Sequence, residues 1–154
     1  MHPLQKLVIK NGMQLLLHLQ AFLFRHSYLY FLGNGLNLFL AQMMIYTKKI
    51  GKANNLEELG KNWQKGFAAT KQVPITKIDE KTVFAEIHTP CPLRDTGDTM
   101  ACFKMMSYDR KIVEKAGGQF IVLTSQAEVG NTFCKVAMRF QQEKIDDLVA
   151  AHQK

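Results

Sequence analysis

Cysteine is scarce in this sequence: three residues among 154, an odd number that cannot close a complete disulfide framework within one chain. No C-x-x-C clip brings any two of them together, so short-spaced zinc signatures are missing as well. Proline is equally sparse, at four residues, and the chain has no low-complexity tract, no obvious linker and no internal repeat beyond two hairpin-like patterns. These absences exclude a disulfide-stapled secreted scaffold, a solenoid and a fibrous chain. A thiol-poor composition with eight methionines suits a reducing, cytoplasmic setting. With 47% hydrophobic and 21% charged residues, the chain has the make-up of a packed globular protein, and its length suits one domain over residues 1–154.

The formal charge of +7 on its own suits an acidic partner. Only Lys48, Lys49 and Lys52 form a tight basic group, however, and no basic-aromatic module of the kind RNA binders use accompanies them. Nucleic acid is therefore not expected, whereas steering of a small anionic molecule is compatible with the charge. Two stretches, Met13 to Phe24 and Ser27 to Thr47, are almost free of charge, and the second approaches the length that spans a bilayer. Asn34, Asn37, Gln42 and two glycines in its interior argue instead for a buried helix broken at Gly33-Asn34-Gly35. A membrane span is therefore not expected and membrane association is the lesser alternative; a secretory signal is not expected either, since no small-residue cleavage site follows Phe24. An apolar helix of this kind is often covered by a partner, which points to a homo-oligomer formed through the N-terminal helices.

The periodicity predicts an α+β fold in which N-terminal helices pack with an antiparallel sheet of two β-hairpins separated by a helix. Leu4, Leu7, Val8, Leu15, Leu19, Phe22 and Leu23 recur at helical steps, with a possible interruption at Gly12. A second helix reads from about Gly35 to Ile50. A third is capped by Asn55 and Glu58 and carries the stripe Leu56, Leu59, Trp63, Phe67. After this helical part, residues 1–72, the pattern changes at Val73. The runs Val73 to Ile78 and Thr82 to His88 form one hairpin. Two prolines flanking Cys91 then hold it in a rigid loop. Asp98 caps a helix expected from Thr99 to Ala116, whose inward stripe includes Cys102, Met105, Met106, Asp109, Ile112 and Val113. Gln119 to Gln126 and Thr132 to Phe140 form the second hairpin, with Cys134 on its inward face. From Gln141 the tail, residues 141–154, reads as a short polar helix.

Chemistry concentrates in residues 73–140. A carboxylate at Asp109 on the apolar face that bears Cys102 must be paired if it is buried; otherwise it is the exposed edge of the stripe. Cys91, Cys102 and Cys134 come from a loop, a helix and a strand and can meet only after folding. Three readings stay open. Any of the three can be a small buried hydrophobe. Joined by His88, they make a conceivable tetrahedral set for zinc or another divalent metal. Alternatively Cys91 or Cys102, both near a helix start, serves as a thiolate nucleophile. Arg94 and Arg139 are candidates to hold a substrate carboxylate.

The segments His88-Thr89-Pro90-Cys91-Pro92-Leu93, Ala101-Cys102 with Tyr108-Asp109, and Gly130 to Arg139 around Cys134 together resemble the L-2-amino-thiazoline-4-carboxylic acid hydrolase family. They are also similar to the wider group of vinyl-reductase-type small-molecule-binding domains. The resemblance covers roughly residues 82–140. It implies helices packed on an antiparallel sheet around a mostly apolar pocket. It further implies hydrolytic opening of a cyclic amidine-type ring, with Cys91, Cys102, Cys134 and Asp109 in the catalytic site and His88, Arg94 and Arg139 beside the substrate. The alternative function within the same group is a non-catalytic binding or sensory domain for an apolar or aromatic ligand, with the cysteines fixing a structural metal.

Overall fold

The computed structural model describes residues 3–154, with side chains from residue 11 onward; the Leu4, Leu7 and Val8 part of the expected stripe lies outside the described side chains. The fold is α+β. Two long helices, α1 (Pro3–Arg25) and α2 (Tyr30–Thr47), form a hairpin, followed by α3 (Leu56–Gln64), β1 (Ile75–Ile78), β2 (Val83–Ile87), α4 (Thr99–Met105), α5 (Ser107–Lys115), β3 (Gly118–Thr124) and β4 (Cys134–Phe140). The four strands form one antiparallel sheet in the order β1-β2-β4-β3.

Both hairpins stand where the alternation places them. The first turns on Asp79, whose Oδ1 accepts from the backbone N–H groups of Lys81 and Thr82 at 3.1 and 2.7 Å. Such an Asx-type turn satisfies donors that the ladder leaves free. The capping pair of α3 is also present: Asn55 Oδ1 accepts from Glu58 N at 2.9 Å, and Glu58 Oε2 accepts from Asn54 N at 2.8 Å. Helices α3 and α5 pack on the sheet, and the core joins Leu59, Trp63, Val113, Val122, Val136 and Met138 with Phe24 of α1.

Helix α1 continues without interruption through Gly12, and three further expectations differ from the structure. Helix α2 runs without a break through Gly33-Asn34-Gly35; the chain reverses earlier, in a short 3-10 turn at Ser27–Leu29. Gly33 serves close packing, since a Cβ there would lie 3.2 Å from Leu23 Cβ and from the Phe24 ring. Asn37 is buried with its amide fully used: it accepts from Gln20 and donates to Met105 O at 2.7 Å and Ser107 Oγ at 3.1 Å. A buried amide without such partners costs about 1–3 kcal/mol. The polarity in the middle of α2 therefore ties the hairpin to the α4–α5 junction.

That junction is the second difference. The helix expected over Thr99 to Ala116 is divided at Met106 into α4 and α5. Two carbonyls in the last turn of α4 accept from side chains: Met105 O from Asn37 Nδ2, and Phe103 O from Arg110 Nη1 at 2.8 Å. Side-chain donors inserted into a backbone ladder are a recognised cause of helix bending.

The third difference is the tail. Instead of a polar helix, the residues after Phe140 form an irregular strap that ends in a 3-10 turn, Ala151–Gln153. Arg139, 2% exposed, holds this strap. Its guanidinium donates to both carboxylate oxygens of Asp147 at 2.6 and 2.7 Å, to Lys144 O, and to Thr82 Oγ1 at 2.8 Å. The His152 ring lies 3.9 Å from that of Phe103, centroid to centroid.

Candidate functional site

Folding brings the three cysteines toward one end of the sheet. Cys134 opens β4, Cys102 sits in α4, and Cys91 lies in the segment that connects β2 to α4. Cys102 and Cys134 are 2% and 1% exposed, Cys91 is half-buried, and all three thiols are free. Ser125 and Cys134 are the buried side chains beside Cys102 that act most strongly in its favour as a thiolate. Cys134 Sγ in turn accepts from Gln126 N at 3.3 Å, and Cys91 Sγ from Leu93 N at 3.4 Å.

These contacts set an order of acidity. The hydrogen bond from the Cys134 S–H, supported by Ser125, holds the Cys102 thiol below its ordinary value despite burial and the nearby charges of Asp109 and Glu128. Cys134 is pushed well up, because its hydrogen-bonded neighbour carries the negative charge and because it is buried. Burial pushes the Cys91 thiol up to about 11. Cys102 is thus the first of the three to ionise, Cys134 keeps its proton, and the most exposed thiol is neutral near pH 7.

Gln126, 1% exposed, is the residue that locks the Cys91 segment in place, and the sequence patterns do not single it out. Its Oε1 accepts from Cys91 N at 3.3 Å and from Arg94 Nε and Nη2 at 3.1 and 2.7 Å. Its Nε2 donates to Ile87 O and Thr89 O at 3.2 and 2.9 Å. The same segment is tied by Asp95 N to Gln126 O, Gly97 N to Ala127 O, and Gly130 N to Asp95 Oδ1. Arg94, expected at a substrate carboxylate, is engaged with Gln126 and with Thr132 O at 2.9 Å. The only sequence-level sign of this arrangement is a glutamine at the end of an apolar strand, a weak signal until its five hydrogen bonds to four residues are visible.

Asp109 is buried, as the inward stripe requires, and its side-chain hydrogen bond goes to α3 and not to a sulfur. Its Oδ1 accepts from Trp63 Nε1 at 2.8 Å, linking α5 to α3. Burial raises its pKa to about 6, against the opposing effects of the Trp63 hydrogen bond and the Arg110 charge. Arg139 lies in the strap already described. His88 is exposed, paired with Glu86 at 2.8 Å and stacked on Phe133. The proposed metal set Cys91, Cys102, Cys134 and His88 therefore does not assemble. Among the described residues no group of three or more His, Cys, Asp and Glu side chains is placed to hold a metal ion.

Two surface hollows among the described residues bear on this arrangement, and neither is lined by Cys102, Cys134 or Asp109. One, of ≈ 460 Å³, is lined by Asn55, Glu57, Glu80, Lys81 and Glu143 together with Leu56 and Phe140. The other, of ≈ 530 Å³, lies between α1 and the Cys91 segment; His18, Arg25 and His26 face Pro92 and Asp98 across it. Arg25 and Asp98 approach to 3.7 Å. Compared with protein-family models, with curated proteins and with solved structures, the chain matches none of them.

Proposed function

We propose that the chain is a thiol-dependent hydrolase that opens a small cyclic amidine-type ring, of the 2-aminothiazoline-4-carboxylate kind, with Cys102 as nucleophile. The observation that carries this reading is the Cys102–Cys134–Ser125 cluster. A thiol held toward its ionised form lies beside one held in its protonated form, which is the nucleophile-and-acid pairing that addition to an amidine carbon requires. Cys102 Sγ attacks the ring carbon between nitrogen and sulfur, and the Cys134 proton passes to the departing heteroatom. Water then displaces the enzyme sulfur and returns the proton. The hollow that Pro92 lines next to Cys91 favours a carboxylate-bearing substrate, because His18 and His26 stand on its walls and Arg25 there already meets one carboxylate, that of Asp98 at 3.7 Å, which a substrate would replace. Cys102 is 2% exposed, so in this reading a substrate reaches it only when segments packed around α4 move. Asp109 acts in this reading through the α3–α5 contact and not on the ring.

Turnover of 2-aminothiazoline-4-carboxylate by the purified chain tests the proposal. Cys102→Ser is expected to lower the rate by roughly 100-fold or more, with Cys134→Ser also impaired and Asp109→Asn largely active. Unchanged turnover in Cys102→Ser removes the cysteine from the mechanism, and no turnover by the unsubstituted chain refutes the substrate class.

A further inference from the structure

The helical hairpin presents an apolar face that the other described residues do not cover. On α2, Gly33, Asn37, Ala41 and Ile45 turn inward, while Phe31, Phe39 and Tyr46 on the opposite side are 68%, 66% and 83% exposed. On α1, Leu15 and Leu19 are 73% and 48% exposed. A helix that is apolar on both faces is ordinarily enclosed by something.

Charge identifies the enclosure. No acidic residue precedes Glu57, whereas Lys6, Lys10, Arg25, Lys48, Lys49 and Lys52 all do. The remaining 98 residues hold 14 basic and 13 acidic side chains, so six of the seven net charges belong to the hairpin and its flank. Lys48, Lys49 and Lys52 are exposed at the C-terminal end of α2 and, among the described residues, join no ion pair. A second copy of this chain would bring acid-free, cationic segments together. An anionic surface complements both the charge and the apolar stripe. Tyr28 and Tyr46 are 70% and 83% exposed on the hairpin, and such amphipathic rings favour a lipid–water boundary.

We propose that the outer face of the α1–α2 hairpin docks on an anionic lipid bilayer, lying in the headgroup region. The hairpin rests on the membrane and does not cross it: no described helix is long and apolar enough to span, and the inner face, with Gln20 and Asn37, is committed to the rest of the protein. Phe31, Phe39 and Leu15 enter the acyl boundary while Lys48, Lys49 and Lys52 meet lipid phosphates.

Co-sedimentation of the full chain with phosphatidylcholine vesicles, with and without phosphatidylglycerol, tests this. Binding is expected only with the anionic lipid, and it should fall with added salt as screening shortens the reach of the lysines. Replacing Lys48, Lys49 and Lys52 together by Gln should weaken partitioning roughly 100-fold, each contributing about fivefold at an anionic surface. Phe31→Ser and Phe39→Ser should each weaken it about tenfold, with circular dichroism confirming an intact fold. Equal binding to both vesicle types, or none to either, overturns the proposal. So does a sedimentation mass showing a dimer that Phe39→Ser converts to a monomer, which would assign the face to a second copy.

Discussion

Trp63 donates its indole N–H to Asp109 at 2.8 Å in the core, so a carboxylate that the sequence marks as chemically suspicious holds two helices together. Its folded pKa, about 6, lies above the ordinary carboxylate value of 3.8. For a raised group the stability contribution is fully present below the unfolded pKa and is lost as pH rises through the folded one. Asp109 therefore weakens the fold between about pH 4 and pH 7, by on the order of 3 kcal/mol. Asp109→Asn keeps an oxygen acceptor for Trp63 and removes the charge. Urea titrations across that range should show a flatter pH dependence for the variant, with stability near pH 7 equal to or above that of the unsubstituted chain. An unchanged slope would contradict the assignment.

The acidity of Cys102 depends on Cys134 more than on its position in α4. Removing the donor in Cys134→Ala should move the Cys102 titration upward, followed by thiolate ultraviolet absorbance or by the pH dependence of alkylation mapped to each cysteine. In the unsubstituted chain Cys102 should ionise first and Cys91 only near pH 11. Ionisation of Cys91 before Cys102 would reverse the order drawn from the geometry.

Gln126 holds the Cys91 segment with every hydrogen-bonding atom of its side chain. Gln126→Ala should leave the strands intact but release Cys91 N, Arg94 and Thr89 O, costing about 1–3 kcal/mol for the buried groups left unpaired. Faster alkylation of Cys91 and faster backbone hydrogen exchange over residues 89–97 are the expected readouts. Protection equal to that of the unsubstituted chain would show that the backbone ties alone hold the segment.

Arg139 and Asp147 govern the strap after β4. The Arg139 hydrogen bonds hold the Asp147 carboxyl well below the usual range, so its contribution is present above the unfolded carboxylate pKa and is lost as pH falls through the folded value. Arg139→Met should make residues 141–150 the first site of limited proteolysis. Asp147→Asn should remove part of the stability loss in acid while lowering stability at neutral pH. A strap equally resistant in Arg139→Met would place its anchorage at Ala151 and His152 instead.

The sequence by itself determined the α+β class, both hairpins, the cap of α3 and the inward placement of Cys102, Cys134 and Asp109. Alternation, turn chemistry and helical periodicity are local, and each is carried by residues a few positions apart. Tertiary structure decided the rest. The division at Met106 depends on Asn37, far away in the chain, taking the Met105 carbonyl; once it does, residues on one predicted helix face point to different neighbours. The same long-range bonding turned Arg139 from a substrate arginine into an anchor and separated His88 from the cysteines. It also made Gln126 the keeper of the Cys91 segment. Partners of a buried polar group are chosen by whichever chain segments pack beside it, and that choice is not written in the spacing of the residues themselves.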